Sequence, residues 1–177
     1  MVTLQEVVQV IQRIQMVLRI KQEILGYINE LGSEGRLISM QLHELVHNIE
    51  EEAYLLVRDY VVDDKEIDPQ TIFAEMNKRS GEELMDFQTI VRMLGFPAGS
   101  SAEEPVFPRG YRILHKIPRL PYAIIANLVE FFRTLSHILT ATIEELDEVE
   151  GIGEVRARTI KEGLKRIQEQ VRIDRHI

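Results

Sequence analysis

The residue spacing with the clearest chemical meaning lies near the end of the chain, in Leu146–Asp147–Glu148–Val149–Glu150–Gly151–Ile152–Gly153–Glu154–Val155–Arg156–Ala157–Arg158–Thr159–Ile160. Gly151 and Gly153 permit a tight turn with positive φ between a short helix ending at Val149 and a new helix starting near Gly153. Ile152, between them, points inward as an anchor. The first amides of the new helix have no helical acceptor, and the helix dipole adds partial positive charge beside them. Outward amides at a positive helix end make a phosphate site. Glycine also leaves room for close approach where a side chain would obstruct it. Gly151, Ile152, Gly153, Glu154 and Val155 are expected to present N–H groups, and Arg156, Arg158 and Lys161 to reach neighbouring phosphates from the first turns.

Two other constellations could do chemistry. His43–Glu44–Leu45–Val46–His47 matches the His-Glu-x-x-His helix of zinc proteases, with both histidines on the metal and Glu44 as base. On a helical wheel, however, these histidines flank the apolar line instead of facing a sealed cleft, and no third ligand is evident: Glu50 to Glu52 stand too close, leaving Glu66 or Asp68. A chance match on a solvated flank is the expectation. Asp174 follows Gly153 by 21 residues, about where helix-hairpin-helix glycosylases carry a catalytic Asp. Those enzymes interrupt the helix with a Gly/Pro loop, whereas Arg158 to Ile173 reads as unbroken helix, and a base-flipping cleft needs helices on both sides.

The elements that must position the glycine bend read as helices throughout. Leu4 to about Leu31 carries Leu4, Val7, Ile11, Ile14, Leu18 and Leu25 at helical spacing, widened by Val10, Val17, Ile24 and Ile28. The Gly32–Ser33–Glu34–Gly35 break ends it. A second helix runs from about Leu37 to Val61 along Leu42, Leu45, Ile49, Ala53, Leu56 and Tyr60, antiparallel to the first across the short loop. Asp68–Pro69 opens a third. Ser80 to Leu94 reads as a fourth, with Ser80 and Glu83 as a capping box and Gly95 as the stop. Phe96 to Gly110, rich in Pro, Gly and Ser, reads as a linker and places the domain boundary.

Beyond the linker the chain repeats at an offset of 32 residues: Ile117, Leu120, Ile125, Leu128 and Phe132 align with Val149, Ile152, Ala157, Ile160 and Leu164. Two helix-loop-helix units joined by a helical stretch from Thr134 to Leu146 would bury one shared core. The first copy has Arg119 and Pro121 where glycines would stand. Proline lacks an N–H and Arg119 crowds the turn, so this copy is expected mainly to complete the core, with Lys116 and Arg119 reaching DNA through side chains.

Charge is distributed unevenly. The chain of 177 residues has a net charge of −8, but residues 1–108 hold 9 Lys and Arg against 19 Asp and Glu, a net of −10, while residues 109–177 hold 12 against 10, a net of +2. The acidity belongs to the front part, and such asymmetry suggests separate jobs. With no cysteine, disulfides, thiolate metal sites and thiol nucleophiles are excluded. Uncharged runs reach only about ten residues, as in Leu120 to Val129, against roughly 20 for a membrane span. With no signal-peptide pattern either, the reading is a soluble, cytoplasmic protein.

The glycine run resembles the helix-hairpin-helix motif of DNA repair and recombination proteins: hydrophobe, x, Gly, hydrophobe, Gly, then Ala and a hydrophobe at fixed offsets. The resemblance extends to the whole chain. The long acidic helical pair, Gly35–Arg36–Leu37, Pro108–Arg109–Gly110–Tyr111–Arg112 and the tandem hairpins together resemble the DNA integrity scanning protein DisA family, in its central helical domain and C-terminal DNA-binding domain. What this implies is a bacterial, nucleoid-associated protein of the DNA damage checkpoint and DNA repair that scans DNA, recognises branched structures such as junctions, and lowers cyclic di-AMP synthesis on meeting them. Homo-oligomers and a partner N-terminal diadenylate cyclase domain, using ATP and a divalent metal ion, belong to the same implication. That domain's Asp-Gly-Ala and Arg-His-Arg motifs do not occur here, and Arg175–His176–Ile177 is not the second. The chain is therefore expected to be a piece lacking the cyclase, not itself an enzyme, with no cofactor and no metal of its own.

The fold expected is all-α: an elongated helical bundle, or spine, over residues 1–107, then a tandem helix-hairpin-helix domain over residues 108–177. Its expected function is DNA binding through backbone phosphates without reading sequence. The alternative is a protein-interaction scaffold in which the acidic bundle docks a partner and the hairpins are structural. Elemental analysis of the purified protein is expected to find no stoichiometric zinc. One zinc per chain, lost in His43→Ala, would restore the protease reading.

Overall fold

Thr3 starts the first long helix: its hydroxyl accepts the Glu6 N–H while the Glu6 carboxylate accepts the Thr3 N–H, a closed capping box. The computed structural model describes residues 2–63 and 66–174, the side chains of Ile173 and Asp174 excepted. The fold is all-α; among the described residues the only strands are two of two residues each. The chain divides into two units, Met1–Val106 and Phe107–Ile177.

The first unit is built on α1 (Leu4–Ile28) and α2 (Ser33–Tyr60), followed by α3 (Pro69–Lys78), α4 (Gly81–Met85) and α5 (Phe87–Met93). Its core gathers the N-terminal half of α1 (Leu4, Val7, Val8, Ile11), the C-terminal half of α2 (Leu56, Val57) and Met76, Ile90 and Leu94 from the later helices. Where α1 continues past that core it buries polar groups as well. Gln15 and Lys21 are both buried, and the Lys21 ammonium reaches Glu50 on α2 at 2.8 Å. A buried ammonium is tolerated only with such a partner.

Several sequence-based boundaries are corrected. The turn after α1 is shorter than Gly32 to Gly35: Gly32 alone takes the left-handed turn, at φ 64°, and α2 begins at Ser33. Gly35 lies inside α2, where a Cβ would stand 2.5 Å from the Ile28 carbonyl oxygen, so the two helices meet there backbone to backbone. The apolar line of α2 holds at Ala53 and Leu56, both buried, and differs at one position. Leu45 is 77% exposed and Val46 is buried. The stretch from Ser80 to Leu94 is two helices, because Asp86 caps a new start: its carboxylate accepts the Thr89 amide at 2.8 Å and the Thr89 hydroxyl at 2.7 Å. Those two bonds also hold the Asp86 carboxyl below its usual range. Nor is Phe96 to Gly110 a free linker. Its Pro105–Val106 segment (β2) pairs antiparallel with Val2–Thr3 (β1), with Val2 opposite Val106, and the Leu4 and Gln5 amides donate to Glu104 and Ala102.

The second unit runs α6 (Tyr111–His115), α7 (Tyr122–Phe132), α8 (Leu135–Thr140), α9 (Ile143–Asp147) and α10 (Glu154–Asp174). The stretch from Thr134 to Leu146, expected as one helix, is broken at Ala141–Thr142. Thr142 is an N-cap in a capping box with Glu145, and Thr134 caps α8. The 32-residue repeat is visible as packing: Ile117, Ile125 and Leu128 are buried, as are their equivalents Val149, Ala157 and Ile160. Both helix pairs thus contribute buried apolar residues at equivalent positions.

Two glycines on the α1–α2 pair should respond oppositely to the same change. Nothing lies within 4 Å of a Cβ at Gly26, so Gly26→Ala should stabilise by roughly 0.5–1 kcal/mol, the ordinary helix-interior gain. Gly35→Ala gains the same propensity but drives a Cβ onto backbone, and should destabilise by about 2 kcal/mol or more, as read by chemical denaturation.

Candidate nucleic-acid interface

The second hairpin joins α9 to α10 through a bend at residues 148–153. Gly151 occupies its left-handed position at φ 85°, and an added Cβ would meet Ile124 Cδ1 at 2.5 Å. The bend is held from three directions. Ile152, 5% exposed, is sunk into the core, and its N–H donates to the Val149 carbonyl at 3.0 Å. Asn127 on α7 donates from Nδ2 to the Glu150 carbonyl at 2.9 Å. On the outer side, the Arg156 guanidinium donates to the Gly151 carbonyl.

Gly151, Gly153, Glu154 and Val155 are exposed, and among the described residues their N–H groups have no backbone acceptor. Helical bonding resumes at Ala157, whose N–H reaches Gly153 at 2.9 Å. The bend therefore presents four of the five expected amides. Ile152 is the correction: its amide is spent internally, and its part is that of anchor. Val155 is 82% exposed, leaving an apolar side chain beside the free amides.

The three expected cations separate in role. Arg156 has no acidic partner among the described residues and folds over the bend. Arg158 is paired with Glu154 at 2.7 Å across one helical turn, with both side chains exposed. The Glu154 carboxylate holds the Arg158 guanidinium above its ordinary value. That pairing offsets one of the carboxylates that flank the free amides; exposed Glu150 precedes Gly151, and an Asp147 carboxylate oxygen stands 3.9 Å from where a Gly153 Cβ would be. Lys161 is a correction. Half-buried, it donates to the Ala141 carbonyl at 2.6 Å and to Leu139 at 3.4 Å, so it closes the C-terminal end of α8. A cation on the last carbonyls of a helix is favourably placed by the dipole, but this one is not presented to a ligand.

The first hairpin repeats the same backbone. Arg119, 32 residues before Gly151, takes the left-handed conformation at φ 60°. Leu120 N–H donates to Ile117 as Ile152 N–H does to Val149. The expectation that Arg119 crowds the turn is thus corrected: it adopts the conformation that glycine would favour. Pro121, equivalent to Gly153, caps α7 and offers no amide. Pro118, Arg119 and Leu120 line one open groove together with Gly151, Gly153, Glu154, Val155 and Arg156. Lys116 is exposed at the end of α6 but is not among the residues lining that groove.

His43 and His47 lie on the exposed side of α2, ring centroids 5.6 Å apart, and no group of three or more His, Cys, Asp or Glu placed to hold a metal occurs among the described residues. Helix α10 runs unbroken from Glu154 to Asp174, without the loop a glycosylase places ahead of its catalytic Asp. The Asp174 side chain and Arg175–His176–Ile177 lie outside the described residues. No helix among the described residues is long and apolar enough to cross a membrane.

Comparison with known proteins points the same way from both units. Residues 1–103 match the family described as the DisA bacterial checkpoint controller linker region, and residues 134–163 match the helix-hairpin-helix motif. A DNA integrity scanning protein DisA from Carboxydothermus hydrogenoformans is 57% identical over 171 residues, covering 96% of this chain and 49% of that protein. Relatives of the same name from Bacillus pumilus and Bacillus thuringiensis are 50% and 52% identical, covering 100% and 99% of this chain and 49% of each relative. The chain spans about half the length of the curated relatives it matches.

The reassignment of Lys161 is open to measurement. Lys161→Met should lower unfolding stability by about 1–2 kcal/mol, because two carbonyls lose a charged donor. An unchanged denaturation midpoint would return this lysine to the pool of free cations.

Proposed function

The chain belongs to the DisA family, and we propose that it binds DNA through backbone phosphates, without reading sequence, at the α9–α10 bend. The observation that carries this reading is the group of four amides with no backbone acceptor, on exposed residues at and just before the positive end of a 21-residue helix, with Arg156 beside them. A phosphate oxygen satisfies such amides and is attracted by both the dipole and the guanidinium. Amides and a guanidinium see the sugar-phosphate chain and not base edges, which accounts for the indifference to sequence. The match of residues 134–163 to the helix-hairpin-helix motif and the name of the relatives, DNA integrity scanning protein, support the same reading.

The affinity of one such unit is low, about micromolar or weaker at physiological salt, because few phosphates are engaged. In the whole protein, branched or junction DNA is preferred when several copies touch separate duplex arms at once, since linked weak contacts multiply. The DNA contact then serves to lower cyclic di-AMP synthesis by a diadenylate cyclase domain that uses ATP and a divalent metal ion. This chain contributes DNA capture to that task, in the cytoplasm, on the nucleoid, and none of the catalytic groups. A second reading, with the first unit docking a protein partner and the hairpins only structural, draws on the exposed Tyr27, Leu37, Met40 and Leu45 of α1 and α2.

A salt titration of DNA binding, followed by fluorescence anisotropy, separates the two. The DNA reading expects log K to fall linearly with log salt, at about 0.9 per phosphate engaged. Gly153→Pro removes one of the free amides at a position whose equivalent in the first hairpin is already Pro121, so it should fold normally and bind DNA several-fold more weakly. Arg156→Glu should weaken binding further. Unchanged affinity in both variants would remove the bend from the interface and favour the scaffold.

A further inference from the structure

The first hairpin departs from the second in a way that suggests a division of chemistry. At its left-handed position it carries not glycine but arginine, and at the position of the free Gly153 amide it carries proline, which has none. Its backbone therefore cannot repeat the amide site, although its bend has the same shape. Holding a non-glycine residue at φ 60° is unfavourable. The Arg119 side chain is exposed and lines the groove shared with Gly151, Gly153 and Arg156, and no ion pair or hydrogen bond to it occurs among the described residues. Two guanidinium groups without acidic partners thus border one groove, while the carboxylate there, Glu154, is taken up by Arg158.

We propose that Arg119 holds a second phosphate of the bound nucleic acid, so that the two hairpins grip the backbone by different means: amides at the second bend, a guanidinium at the first. This rests on the phosphate-binding reading of the α9–α10 bend. The bend shape of the first hairpin serves to aim the guanidinium, and the missing amide at Pro121 is replaced by a full positive charge. A planar fork of N–H donors suits a phosphate in two-point contact.

Arg133 supplies the matched control. It too is an arginine in a left-handed conformation, at φ 69°, but it ends α7, pairs with Glu130 at 3.3 Å, and does not line the groove. Both positions lose a charge and relieve a strained φ on conversion to glycine. With the whole chain and a linear duplex, Arg119→Gly is expected to weaken binding roughly three- to ten-fold near 0.1 M salt and to reduce the slope of log K against log salt by about 1. Its thermal midpoint should not fall below that of the parent, since glycine suits the conformation. Arg119→Lys should keep the slope, and Arg133→Gly should keep both slope and affinity. Parent-like slope and affinity in Arg119→Gly, or equal losses in Arg119→Gly and Arg133→Gly, overturn the assignment. A failure of the parent reading looks different: the unsubstituted chain would show no salt-dependent binding, or Gly153→Pro would retain it in full.

Discussion

The left-handed bend under Ile152 is the constraint from which the second unit's chemistry follows. A buried isoleucine pins the middle of the turn, its own amide is consumed by Val149, and Asn127 fixes the carbonyl one residue upstream of Gly151. Beside the bend held this way, Gly153, Glu154 and Val155 are exposed and their amides have no backbone acceptor. Their freedom is that of any helix start, where the first amides have no acceptor within the helix, and α10 starts at Glu154. The same anchor also explains why glycine stands at 151. Both the positive φ and the nearness of Ile124 Cδ1 disfavour a side chain there.

Counting cations would overstate the positive charge at that bend. Arg156, Arg158 and Lys161 lie within six residues, yet they face three different partners. Arg158 neutralises Glu154, Lys161 closes α8, and Arg156 lies over the Gly151 carbonyl. An exposed pair such as Glu154–Arg158 contributes little to stability, but it removes a repulsive carboxylate from beside the free amides. The modest net charge of the C-terminal part is thus compatible with a local positive spot, because position and pairing decide what a ligand meets.

Much of this was legible in the sequence. The 32-residue repeat, the capping residues Asp68 and Ser80, and the glycine bend follow from local rules that tertiary packing did not override. What the sequence withheld was mostly the choice between two plausible partners. Asp86 reads as helix interior until its carboxylate is found on Thr89. Lys161 reads as a surface cation until its ammonium is found on the carbonyls that end α8. The face of α2 held at Ala53 and Leu56 but not at Leu45, where Val46 is buried instead, since the apolar residues there are dense enough to allow either. Arg119 is the sharpest case: arginine in a left-handed bend contradicts propensity, and only its offset of 32 from Gly151 hinted at it.

The ladder between Val2–Thr3 and Pro105–Val106 has a mechanical consequence. Because Val2 sits opposite Val106, the two extremities of the first unit emerge side by side. Tension applied across them loads the hydrogen bonds one after another, as in opening a zip, instead of all together in shear. The helices behind would feel no load until those few bonds had parted, so the pair acts as a weak latch that yields before the helical body is disturbed.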